Sequence, residues 1–333
     1  MHKHPANIAV IGAGSWGTAL AVLLASNGAN VSLWGHEPDV MQTLATDREN
    51  KTFLPGVSFP ETLKAIVTLE EALEQANEVL IVVPSHAFGA VLKNLATKNP
   101  DLSSISWATK GFNPHDNRML SELAAEYFPN ASHAVVTGPT FAMETAKQMP
   151  TALTVAATST EHAERLVQYM HNKTCRPYIA DDIIGVQVGG AAKNIMAIAA
   201  GISDGLKFGA NARSALITRG LAEITRLGLA LGGKPETFMG LAGLGDLVLT
   251  CTDDQSRNRR MGLALARGLT IDEAKTEIGQ EVEGINTARE VFHKASALGV
   301  EMPITEQTYK VLFEGLSPKQ AVSNLLGREA RSE

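Results

Sequence analysis

Two parts of this sequence place charged side chains where their surroundings are apolar or acidic. Lys193 is the one charge in the run 183–202, IIGVQVGGAAKNIMAIAAGI. Burial there disfavours the ammonium and lowers its pKa, which suits a lysine that trades a proton in an alcohol–carbonyl interconversion. A salt bridge or a side chain reaching out to water is the structural alternative. Asn194, beside it, is expected to supply a hydrogen bond. Asp246 stands between Gly245 and an apolar run in MGLAGLGDLVLTC, 239–251. A carboxylate buried there wants a partner, and Lys193 is the expected one. Capping a helix is its other reading, and the two are compatible. Then comes TDDQSRNRR, 252–260. Arginine forks match phosphate oxygens, and Ser256 and Asn258 add neutral hydrogen bonds. The segment suits one phosphate group, with Arg257 between Ser256 and Asn258 as the expected ligand. Arg259 and Arg260 read as a solvated face beside it. The segment lacks the interleaved aromatics of a single-strand binder, and Asp253 and Asp254 would repel a polyanion.

At the other end, NIAVIGAGSWGTALAVLLASNGANVSLWGH reads as strand, glycine turn, helix and strand. This is the layout of a dinucleotide-binding unit. Gly12 permits the tight turn, Gly14 removes a Cβ from the path of a pyrophosphate, and Gly17 allows close helix packing. Ser15 and Trp16 sit between them, and a helix expected at Thr18–Ser26 follows, whose unpaired N–H groups at its amino end favour an anion. No acid closes the second strand directly. His36 could face a 2′-phosphate and Glu37 a 2′-hydroxyl, which favours NADP slightly and leaves NAD open.

These residues need a scaffold. Strands are expected at 78–85, 104–111 and 133–140, with helices near 70–76, 86–96 and 117–127, and further strands at 151–157 and 175–180 around a helix at 160–171. Ligands of open parallel sheets sit at the carboxyl ends of strands. Pro84, Ser85, Lys110, Gly138, Pro139 and Thr140 therefore point to one crevice. After Ala180 strand signals nearly vanish. The expected division is 1–180 and 181–333.

With 333 residues the chain is long enough for two domains. Its net charge of −6 argues against general affinity for nucleic acid or anionic lipid. Cys175 and Cys251 are far apart and lack metal-ligand spacing. No metal site or disulfide framework is expected, and a reducing cytoplasm fits. The opening MHKHPANIAV lacks the layout of a signal peptide. The run 183–202 is long enough to span a bilayer. Gln187, Lys193 and Asn194 make it a buried helix of a soluble protein instead.

The motifs GAGSWGTALA (12–21), LWGHEPD (33–39), NKTFLPG (50–56), VVPSH (82–86), TKGF (109–112), GPTFAMETA (138–146), GGAAKNIMAIAAGISDGL (189–206), GLAGLGDLVLTCTDDQSRNRRMG (240–262) and EVEGINTA (281–288) run through nearly the whole chain. Together they resemble the bacterial NAD(P)-dependent glycerol-3-phosphate dehydrogenase family. The resemblance implies an α/β Rossmann-like N-terminal domain with a mainly parallel sheet, plus an all-α C-terminal domain. It implies interconversion of dihydroxyacetone phosphate and sn-glycerol 3-phosphate, supplying glycerol 3-phosphate for phospholipid synthesis. Gly12, Gly14, Ser15, Trp16, Gly17, His36, Lys110, Ala142, Arg257, Glu281 and Glu283 then match cofactor positions. Lys110, Gly138, Thr140, Lys193, Asp246, Ser256, Arg257 and Asn258 match substrate positions. Lys193 matches the acid/base, with Asp246, Asn194 and Lys110 in support. Glu281 stands where the family is expected to carry an apolar residue, so any contact there would run through backbone. A cytoplasmic homodimer, without nucleic acid or integral membrane association, is expected. Another two-domain hydroxyacid dehydrogenase is the alternative, and a non-enzymatic NADP-binding regulator the more distant one.

Overall fold

A computed structural model describes residues 6–329; the first five residues, part of the stretch read for a signal peptide, lie outside them. The chain divides into two compact units, Met1–Asn113 with Arg118–Ile183, and Pro114–Asn117 with Ile184–Glu333.

The first unit is built on one sheet. Its strands are β1 (Asn7–Ile11), β2 (Asn30–Trp34), β3 (Leu63–Ile66), β4 (Glu78–Ile81), β5 (Ser104–Trp107), β6 (Ser132–Thr137), β7 (Thr151–Ala157) and β8 (Cys175–Ala180), in the order β3-β2-β1-β4-β5-β6-β7-β8. Neighbours pair in parallel except β6 and β7. The helices are α1 (Ser15–Ser26), α2 (Pro38–Asp47), α3 (Leu69–Leu73), α4 (Ser85–Lys98), α5 (Leu120–Tyr127), α6 (Ala142–Ala146) and α7 (Thr160–Met170). Central strands such as β4 are buried along their whole length, because parallel sheets are covered on both faces and read as continuous apolar runs.

Three expected strands end early. β4, β5 and β6 stop at Ile81, Trp107 and Thr137; the residues beyond them lead to Ser85 at the start of α4 and form the loops that carry Lys110 and Gly138. β3 escaped the sequence reading. It is a four-residue edge strand containing Lys64, and edges are kept short and charged to block further pairing. At the other edge β8 accommodates Pro177, as only an edge can. At the sheet's amino end, buried Glu78 accepts from Ser104 Oγ and Arg165 Nε, both at 2.8 Å.

The second unit contains only helices among its described residues: α8 (Ile183–Gly205), α9 (Gly209–Ala230), α10 (Pro235–Phe238), a π-turn (Leu241–Gly245), α11 (Asp246–Thr252), α12 (Arg257–Ala266), α13 (Ile271–Ile278), α14 (Glu283–Ala297), α15 (Pro303–Phe313) and α16 (Pro318–Leu326). α8 is the one described helix long and apolar enough to cross a membrane, and most of it is buried. Its residues Gly189, Lys193, Ala197, Gly201 and Gly205 recur every fourth position, which forms a single ridge. A Cβ at Gly189 would press on the carbonyl of Ala242 in the π-turn, and one at Gly201 would collide with the carbonyl of Arg259 in α12. The glycines thus let two backbones close on α8, with Lys193 between them along the ridge.

Candidate active site

In the first unit the glycine turn behaves as its spacing predicts. Gly12 has φ +123°, and a Cβ there would collide with the carbonyl of Val82. At Gly17 the collision would be with the carbonyl of Gly12 itself. The third glycine therefore serves the turn as well as the packing of α1 on the sheet. At Gly14 a Cβ would meet nothing within 4 Å. Gly14 is the N-cap of α1, and no side chain caps the helix. Open space above an uncapped helix start is what a pyrophosphate requires, so these residues fit a dinucleotide. The indole N–H of Trp16 is shielded from solvent and lacks a hydrogen-bond partner.

Asn50 was not singled out by the sequence reading as a site residue. It is fully buried, and its Nδ2 donates to the carbonyl of Ala13 and to Thr18 Oγ1, each at 2.9 Å. The signal was present in the NKTFLPG motif, but its partner lies 37 residues away. His36 and Glu37 are exposed just beyond β2.

Along the carboxyl edge, adjacent strands bring the expected residues to one end of the sheet. Thr109 Oγ1 donates to the carbonyl of Val83 at 2.8 Å, which ties the end of β5 to that of β4. Lys110 follows, half-buried. Gly138, at φ +144°, turns the chain out of β6, and Thr140 Oγ1 donates to its carbonyl at 3.2 Å. Ala142 opens α6, which packs on α1.

The helical unit builds the second constellation. Lys193 is 6% exposed and Asp246 is fully buried. The Lys193 ammonium forms an ion pair with Asp246 Oδ1. It also donates to Thr250 Oγ1 at 2.8 Å, and that hydroxyl donates to the backbone carbonyl of Asp246 at 2.6 Å. Asp246 is the first residue of α11. Of its two compatible readings, the partnership with Lys193 is observed. The bond expected from Asn194 to Lys193 is not made, because residues one apart on a helix do not face each other. Thr250, one turn after Asp246, takes that part. The sequence hint for it was the i, i+4 spacing on a helix that could be placed only once α11 was seen. Cys251 is also fully buried, and loss of solvation pushes its thiol up to about 12. It is an inert neighbour of the pair.

The basic segment divides its arginines unequally. Ser256 is the N-cap of α12, and its Oγ accepts from the backbone N–H of Arg259 at 3.2 Å. Asn258 is buried, and its Oδ1 accepts from the backbone N–H of Gly284 at 2.9 Å. This bond caps α14 from another helix and leaves the Asn258 amide N–H₂ for other work. Glu283 is the first residue of α14, and Glu281 is exposed in the preceding loop. A Cβ at Gly284 would stand 3.0 Å from the carbonyl of Asn194. α8, α12 and the start of α14 therefore meet at Asn194, Asn258 and Gly284. The solvated face expected of Arg259 and Arg260 is not observed. Arg259 is buried between Asp204 and Asp254. Arg260 is half-buried, with its Nε shielded from solvent. The amphipathic turn of α12 draws both toward the protein. Among the described residues, no group of His, Cys, Asp and Glu is placed to hold a metal.

These two constellations coincide with two family models. The model for the NAD-dependent glycerol-3-phosphate dehydrogenase N-terminus matches residues 7–163, and that for the C-terminus matches 182–323. The chain belongs to this family. It is 56% identical over 336 residues to a glycerol-3-phosphate dehydrogenase [NAD(P)+] of Shewanella oneidensis, covering 99% of this chain and 98% of that one. A protein of the same name from Pseudoalteromonas translucida is 55% identical, with 98% of each chain covered. Among solved structures, glycerol-3-phosphate dehydrogenase from Coxiella burnetii superposes with a TM-score of 0.95 at 48% identity, over 98% of this chain and 99% of that one. The likeness reaches more distantly to a D-mandelate dehydrogenase, at a TM-score of 0.64 and 11% identity, where only the fold is shared.

Proposed function

We propose that this protein interconverts dihydroxyacetone phosphate and sn-glycerol 3-phosphate with NAD(P)H, and so supplies glycerol 3-phosphate for phospholipid synthesis. The observation that carries the reading is the buried Lys193–Asp246–Thr250 cluster, in a chain of this family. When bound in its reduced form, the nicotinamide cofactor supplies the hydride. The chain's own residues do the rest. The start of α1 at Gly14, Ser15 and Trp16 holds the pyrophosphate, and His36 faces the adenosine ribose. The ammonium of Lys193 donates its proton toward the substrate's forming alkoxide. Asp246 and Thr250 hold that ammonium in place. Asn194 supports the proton donor, and the free amide of Asn258 hydrogen-bonds the substrate. Ser256 and Arg257 grip its phosphate, and binding energy from that unreactive group positions the carbonyl. Lys110, Gly138 and Thr140 are assigned to the substrate, Lys110 and Arg257 also to the cofactor. Ala142 and Glu283 are further cofactor contacts, and Glu281 contributes through its backbone. Residues 1–180 carry the cofactor work and 181–333 the proton donor and phosphate grip. The working form is a cytoplasmic homodimer.

The test follows NADPH and NADH oxidation in parallel with dihydroxyacetone phosphate and with small 2-oxo acids. Turnover confined to dihydroxyacetone phosphate is the expected result, with NADPH slightly favoured. Preference for a 2-oxo acid would move the protein to the hydroxyacid dehydrogenases.

A further inference from the structure

We infer that Arg259 is a positioning residue that holds the turn at 253–258 so that Arg257 is offered to the substrate phosphate. The inference rests on the phosphate-grip reading above. Arg257 and Arg259 are two residues apart on α12, about 200° around the helix, so they face opposite sides. Arg259 faces inward and is spoken for. Its Nη1 donates to Asp204 Oδ2 at 2.6 Å, and its Nε forms an ion pair with Asp254 Oδ1 at 2.9 Å, at an angle that does not make a hydrogen bond. Asp204 Oδ2 also receives Arg213 Nη1 at 2.8 Å. The cluster thus holds two arginines and two aspartates, and its charge is balanced. The Arg257 guanidinium has no such partner among the described residues.

The turn is tied to Arg259 twice. The backbone N–H of Arg259 binds Ser256 Oγ, and its side chain reaches back to Asp254. Between these points the turn is closed by Gln255 N–H to Asp253 Oδ1 at 2.8 Å and by Ser256 N–H to the carbonyl of Asp253 at 3.1 Å. The base of the clamp is firm. Asp204 follows Lys193 by eleven residues on α8, which is about 20° past the same helical bearing. One face of α8 therefore presents Lys193 and then Asp204, and the segment 246–259 answers with Asp246 and then Arg259. The two ion pairs have opposite polarity, so a shifted register would set like charges together. Contact of Gly201 with the carbonyl of Arg259 fixes the same register through the backbone. A turn ordered before the ligand arrives spares the cost of ordering it on binding.

The test compares dihydroxyacetone phosphate with phosphate-free dihydroxyacetone in Arg259→Lys, Asp254→Asn and Arg257→Met, alongside thermal melts. Lysine keeps the charge beside Asp204 but cannot fork to Asp254. The expected result for Arg259→Lys is a KM for dihydroxyacetone phosphate raised about tenfold, with kcat retained and kcat/KM for dihydroxyacetone within about twofold. Asp254 has a side chain that is 71% exposed, so its variant folds whatever becomes of Arg259→Lys. It should raise the same KM about threefold and spare dihydroxyacetone. Equal losses on both substrates in Arg259→Lys, or a silent Asp254→Asn, would overturn the inference. Arg257→Met separates the two readings. If it selectively loses the phosphorylated substrate while the other two variants do not, only the clamp fails. If it shows no selectivity, the phosphate grip fails and the clamp falls with it.

Discussion

The side-chain amide of Asn50 holds the carbonyl of Ala13 at 2.9 Å, inside the glycine turn proposed to receive the dinucleotide. The same Nδ2 reaches Thr18 Oγ1, and Asn50 Oδ1 accepts from the backbone N–H of Phe53 at 3.1 Å. Every polar atom of this fully buried side chain is used. Asn50→Ala would leave the Ala13 carbonyl and the Thr18 hydroxyl without that partner, at a cost of about 1–2 kcal/mol. Part of this should appear as weaker cofactor binding. We expect the Kd for NADPH, from fluorescence titration, to rise roughly tenfold. An unchanged Kd with a lowered melting temperature would reduce Asn50 to a structural residue.

Lys193→Met keeps the length and removes the proton. The expected loss in kcat is about 10²–10⁴-fold, with NADPH affinity unchanged. Thr250→Val, which preserves shape but removes the hydroxyl between Lys193 and the Asp246 carbonyl, should lower kcat by about tenfold. Near-normal turnover in Lys193→Met would take the proton donor away from this lysine.

Gly201→Ala tests whether close approach of α8 and α12 is required. The added methyl meets backbone, the carbonyl of Arg259, and not a side chain that can swing away. A destabilisation of about 1–3 kcal/mol is expected, read as a lower urea midpoint. A variant as stable as the parent would mean that the helices can separate at no cost.

Glu223 gives the helical unit a pH dependence. It is buried on α9, and its carboxylate accepts from the backbone N–H groups of Ile304 and Thr305, at 2.7 and 3.2 Å, at the start of α15. Burial pushes it up to about 7, from an ordinary value of 4.5. Between those values the folded state holds a proton that the unfolded state has released. Stability from this group is therefore greatest at the acidic end and falls as pH rises through the window, by about 3 kcal/mol at most. Urea unfolding of the parent and of Glu223→Gln should show the parent losing ground to the variant as pH goes from about 5 to about 8. A difference independent of pH would show that Glu223 is ionised throughout.

Much of the candidate site is legible in the sequence. The glycine turn, the lysine in an apolar helix and the basic segment announce themselves through local spacing, because each depends on residues within one turn of each other. The strands β3 and β8 show where that legibility weakens. β8 could be read because Cys175–Ala180 follows a clear helix. β3 could not, because a short edge strand with a lysine carries little apolar pattern.

The sequence by itself determined which segments carry chemistry and which kind of ligand each suits. Only the tertiary structure decided who partners whom. Lys193 meets Asp246 across 53 residues of chain, its ammonium also donates to Thr250, and Arg259 is buried while Arg257 is left unpaired. The physical reason is that spacing along a chain sets only the face on which a side chain stands. Which face it meets depends on how closely the helices approach, and here glycines on α8 set that approach.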